Sequence, residues 1–234
     1  MPRPAAWPRR AHARKILQET QPYMHGLPTD SVHEQLHDRR SDETIAEVNR
    51  LCDSLRDLKP GTEVPYVDPV HNAGEARVIS LFSNTGTAPP SGFIEAGDQE
   101  AATRLLGIQW QLGLRPEYVM PWNAHPWFTP GEANGKLTPE QIAAGLKPLL
   151  RLLALTPRAC TLVAHGTEAH KLAALLLKTQ NPLLWRRGYK TYKVRALSGR
   201  SSAGSAERQA QWLDEMQHAY ADSMARCGLP RRGR

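Results

Sequence analysis

The chain contains no CxxC pair, and its three cysteines, Cys52, Cys160 and Cys227, are scattered and odd in number. Such a pattern gives no support to a structural zinc or an iron–sulfur cluster. It leads to the expectation of a reducing compartment, with Cys160 a core residue at the head of an apolar run. No apolar stretch reaches the roughly 20 residues a membrane span needs. The first residues, MPRPAAWPRRAHARK, lack the apolar centre of a secretory signal. An organellar transit segment is one reading of this Arg-rich start; a basic arm is the simpler one. No Gly-rich phosphate loop with its Lys occurs, and no Ser/His/Asp triad can be assembled from spacing. Acidic residues are missing from 186–200, where six Lys or Arg are interleaved with Tyr189 and Tyr192.

What is present is a basic chain of 234 residues, net charge +7, with 40% hydrophobic residues. This suits one α/β domain with appendages. The charge favours a polyanionic partner. Nineteen Pro and 17 Gly imply long loops.

Hydrophobic periodicity orders the chain. Residues 41–58 read as a helix with Ser41 as its cap and Ile45, Val48, Leu51, Cys52 and Leu55 on one face. RVISLF at 77–82 reads as a buried parallel strand. A helix over 99–112, a second strand over 118–122 and a helix from Thr138 to about 155 follow. Pro148 is expected to kink that last helix. CTLVA at 160–164 is a third strand, 167–178 a helix, 192–196 a fourth strand, and 205–226 the last helix. Repeated strand–helix alternation predicts a three-layer αβα sandwich. Its centre is a mainly parallel four-stranded sheet, with an N-terminal helical extension. The division is a basic arm and helix at 1–60, the domain at 61–228 and a basic tail at 229–234.

In open α/β sheets ligands bind beyond the carboxyl ends of the strands. The segments there are 83–92, 123–128, 165–167 and 197–203. They bring Asn84, Asn123, His125 and Ser198 toward one cleft. An Asn amide presents a donor and an acceptor at fixed spacing, as reading the edge of a nucleobase requires. On residue type alone Asn123 is a turn former. His125 is read first as a structural hydrogen-bonder, and a pocket role is the alternative.

Five segments carry a family resemblance. VPYVDP at 64–69 looks like a lead-in. FSNTG at 82–86 and SGFI at 91–94 follow the first strand. PWNAHPW at 121–127 ends the second, and LVAHGTEAHKL at 162–172 spans the third. Residues 64–226 thereby resemble the uracil-DNA glycosylase superfamily. The resemblance implies a metal-free, cofactor-free hydrolase that acts on uracil or a damaged base in DNA. It implies a monomer of the cytoplasm and nucleoid, with no membrane. Asn84 would orient water, with Gly86 in the same motif. Phe93 would stack on the flipped base, Asn123 would read its edge, and His125 would line the pocket. Ser198 would face the leaving base. Arg186, Arg187, Lys190, Lys193, Arg195 and Arg200 would bind backbone phosphates. In RALSGR at 195–200, Ala196 stands where the family has a His or Asn. A weak or inactive member that binds DNA without base release is therefore the alternative.

Overall fold

The computed structural model describes residues 35–83, 87–128, 136–197 and 204–231. Four strands form one sheet: β1 (Val78–Phe82), β2 (Val119–Asn123), β3 (Thr161–His165) and β4 (Lys190–Val194). All pairings are parallel and the order is β2-β1-β3-β4. The first three strands are buried throughout. Their near-continuous apolar sequence is what a strand covered on both faces requires. Pro121 has no N–H to give a ladder, and it sits on β2, an edge strand, where that loss is tolerated.

Seven helices are numbered along the described residues: α1 (Ala46–Leu58), α2 (Gln99–Leu112), α3 (Pro139–Ala144), α4 (Leu146–Leu155), α5 (Thr167–Lys178), α6 (Pro182–Arg186) and α7 (Ala206–Arg226). The period-2 alternation of the strands sorts the core. Ile79, Leu81, Met120, Trp122, Leu162 and Ala164 pack with α1, α4 and α5. Val78, Phe82, Val119, Val163 and Val194 point the other way, toward α2 and α7. The result is the three-layer sandwich.

Several boundaries differ from the expectation, each for a local reason. The helix foreseen over 41–58 begins at Ala46; Ser41 ends a short 3-10 turn (Arg39–Ser41). The helix is also no extension, since Ile45, Val48, Leu51, Cys52 and Leu55 all lie in the core. The helix foreseen after Thr138 has the expected capping box with Gln141. Its interruption falls at Gly145, beside the Ala144 carbonyl from which Pro148 withholds a donor, as a proline kink requires. A Cβ on Gly145 would lie 1.9 Å from the Ala124 carbonyl oxygen, so the chain crosses the exit of β2 where only glycine fits. Pro148 lies in the first turn of α4, where a missing N–H is harmless. Strand β4 starts two residues earlier than foreseen, and α6 was not foreseen.

Cys160 is not a plain core residue. It is disulfide-bonded to Cys227, which joins the base of β3 to the end of α7. Cys52 is the free, buried cysteine. No helix among the described residues is long and apolar enough to cross a membrane.

Candidate functional site

The site is built on the last row of the sheet. Register puts Asn123, Phe82, His165 and Val194 side by side. By alternation all four share the α2/α7 face with Pro121, Ser80, Val163 and Tyr192, the row beneath. The exits stay pinned beyond the tips: Ala124 N–H donates to the Phe82 carbonyl and Gly166 N–H to that of Val194. Ser83 Oγ donates to the His165 carbonyl at 2.9 Å and accepts from Ala169 N–H at 3.1 Å, tying β1 to the start of α5. Gly166 (φ +86°) permits this closeness, because a Cβ there would come within 2.9 Å of both Ser83 Oγ and Ala196 Cβ.

Asn123 is only 3% exposed, and its amide makes no hydrogen bond among the described residues. Groups left in that state at the carboxyl end of a sheet are candidates for a ligand contact.

Below Asn123, on the same face, lies a cavity of about 380 Å³. Ser80, Phe82 and Pro121 of the sheet line it, with α2 and the segment around Phe93 opposite. Phe93 is held there by a parallel bridge to Tyr66: Tyr66 N–H donates to the Gly92 carbonyl and Ile94 N–H to the Tyr66 carbonyl, each at 2.8 Å. The His37 ring backs Phe93, with centroids 4.9 Å apart. Tyr66 is itself placed from α1, because the buried Asn49 amide donates to the Val67 carbonyl and accepts from Val67 N–H. The cavity thus has Phe93 and Pro121 of β2 in its lining, and Asn123 lies one row further along the strand.

A polar relay runs beside the cavity. Tyr220 OH lies 2.7 Å from Ser80 Oγ and 2.8 Å from His165 Nε2, all buried. His165 Nδ1 has no partner. Burial, then the neighbouring His170, pulls the His165 pKa from 6.5 to about 3, so the ring is neutral. This agrees with a structural role for His165. Sequence reasoning missed Tyr220 and Ser80 as partners. The one signal was a lone polar residue inside the apolar VISLF strand.

His125 does not line the cavity. Its Nδ1 donates to the Gln141 carbonyl of α3 at 2.9 Å, and its ring packs on Trp127. Both neighbours belong to the opposite layer, because the chain turns over the sheet edge after Asn123. Burial lowers its pKa, and Lys59 adds to the effect.

The basic residues do not form one groove. Lys190 is level with Thr161 at the amino end of the sheet, four residues, or roughly 13 Å, from the tip row. It pairs with Asp222 at 3.0 Å. Arg186 ends α6 at that same remote end, exposed. Arg187 turns inward, its guanidinium donating to the carbonyls of Leu153 and Thr156 at the end of α4. That is the service a cation gives a helix carboxyl end. Lys193 is exposed and level with Ala164. Arg195, just past β4, stacks on Trp212 at 3.7 Å. So only Lys193 and Arg195 of the five described lie near the carboxyl edge. Asn84, Gly86, Ser198 and Arg200 fall outside the described residues.

Among the described residues no group of three or more His, Cys, Asp or Glu is disposed to hold a metal ion. No protein-family model matches the chain, and a search of the curated proteins finds no match.

Proposed function

We propose that the protein is a DNA glycosylase of the uracil-DNA glycosylase type. It would take a flipped uracil or related damaged base and hydrolyse its N-glycosidic bond. The observation that carries the reading is Asn123 at the tip of β2, level with Phe82, which walls a cavity that Phe93 also lines. An extruded base needs both an aromatic wall and an edge-reading amide, because unstacking costs a few kcal/mol that the pocket must offset. In the reaction the C1′–N bond breaks with its electron pair going to the base. Water adds its hydroxyl to C1′ and releases a proton. Asn84, one residue past the Ser83 clasp, is assigned to orient that water, and Ser198 to face the leaving base. The proposed partner is DNA, the proposed state a monomer, and the proposed location the cytoplasm at the nucleoid.

A second reading, binding without base release, is favoured by Ala196. It packs against Gly166, and its methyl offers no donor to a departing base. A single-turnover assay on uracil-containing oligonucleotides, single-stranded and U·G-paired, separates the two. Base release abolished by Asn84→Ala and by Asn123→Ala is the expected result. Tight binding with no release in the unaltered protein sinks the first reading.

A further inference from the structure

The cavity is acidic. Asp68, Glu95 and Asp98 line it with one imidazole, His71, and no Lys or Arg does among the described residues. Two of these carboxylates have identifiable work. Asp98 caps α2 by accepting from Ala101 N–H, and Glu95 accepts from Ser91 Oγ. Asp68 differs. It is 8% exposed, and one oxygen accepts from Val70 N–H at 2.8 Å. Its other oxygen has no hydrogen bond and no ion pair among the described residues. That oxygen is open to a ligand that supplies N–H donors or positive charge.

The walls agree with the charge. Phe82 and Phe93 present aromatic surface, which attracts a cation as well as a flat ring. The volume of about 380 Å³ lies toward the small end of the range for small-molecule pockets, about 300–1,000 Å³. Among the described lining residues an anion such as phosphate meets three carboxylates against the one imidazole of His71. Neutral uracil offers Asp68 a single N–H, at N3, and no positive charge.

We infer that the cavity selects a positively charged, amine-bearing heterocycle, of the kind produced by ring methylation of cytosine or adenine, over uracil. The inference rests on reading this cavity as the base pocket. It also removes the difficulty at Ala196. When the base already carries a positive charge, the electron pair of the breaking C1′–N bond neutralises it. The departing base then needs no proton and no strong donor. Water supplies the hydroxyl to C1′, and its proton passes to solvent.

The test uses the full chain and two nucleosides, 3-methyl-2′-deoxycytidine and 2′-deoxyuridine, with binding followed by calorimetry at pH 7. The methylated nucleoside is expected to bind at least about tenfold tighter, as one charge-assisted hydrogen bond provides. Asp68→Asn should bring the two to parity. Equal binding, or a preference for deoxyuridine, overturns the inference. If Asp68→Asn does not fold, the preference of the unaltered protein decides alone. Oligonucleotides carrying each base separate the two levels of the argument. Uracil release without the nucleoside preference leaves the glycosylase reading standing and removes this one. The preference without release from either oligonucleotide does the reverse.

Discussion

The neutral, fully buried His165 makes stability depend on pH, and the dependence can be worked out. Its pKa is about 3 in the folded chain against 6.5 for the ordinary side chain. Between those values the unfolded chain holds a proton that the folded one does not. Stability therefore rises with pH across that window, by about 1.4 kcal/mol per unit. The contribution is fully present above pH 6.5 and is lost as pH falls toward 3. From pH 6.5 to 5 the loss from this one ring is about 2 kcal/mol. His125, also lowered by burial, adds in the same direction. Urea unfolding at pH 7, 6 and 5 measures the sum, and the same series on His165→Phe isolates the one ring. The variant should lose about 2 kcal/mol less over that interval, whatever its stability at pH 7. Tyr220→Phe is the complementary perturbation. It strands Ser80 Oγ and His165 Nε2 together, at about 2–4 kcal/mol. An unchanged pH slope in His165→Phe would refute the assignment of acid sensitivity to this residue.

Three further outcomes are expected. Asn123→Ala should change stability by no more than about 1 kcal/mol, since the amide has no partner to lose, while base release falls by two orders of magnitude or more. Denaturant titration and single-turnover kinetics on the same sample check both halves. Gly145→Ala should destabilise by about 2 kcal/mol or more, because a methyl 1.9 Å from the Ala124 carbonyl forces apart α3 and the exit of β2; its melting curve reports this. Arg187→Ala should cost about 1.5–3 kcal/mol of stability and leave the salt dependence of DNA binding unaltered. Arg195→Ala should lower that salt slope by about one unit, as for a phosphate contact.

The layered fold was legible because β1, β2 and β3 are covered on both faces and therefore read as unbroken apolar runs. Strand β4 was misplaced by two residues because an edge strand need not be apolar, and Lys190 and Tyr192 give no such run. Helix α6 had a signal that went unused: Asn181 followed by Pro182, with the Asn side chain capping Leu183 N–H. At the site, Asn123 and Phe93 were singled out from their neighbours in sequence. Asp68 and Tyr220 were not, because their meaning depends on contacts across 12 to 140 residues of chain. His125, read first as a structural hydrogen-bonder, bonds the Gln141 carbonyl; its alternative as a pocket residue came only from nearness to Asn123, and period-2 reasoning stops where the strand stops. Arg187 shows the same limit for charge. A basic run tells how many cations there are, and the fold decides that one of them turns back to close α4. The pairing of Cys160 with Cys227 spans 67 residues, and no local spacing pattern announces it.

The Tyr66–Phe93 bridge has a consequence for where this chain can be divided. Phe93 hangs on a segment that precedes the sheet, and that segment is fastened in turn by Asn49 of α1. His37, from still earlier in the chain, closes the outer side of the same ring. The Pro-Gly pair at 60–61 looks like a natural hinge on paper. A protein trimmed there would keep its four strands and lose the scaffolding of its pocket, leaving the floor of a room with one wall removed.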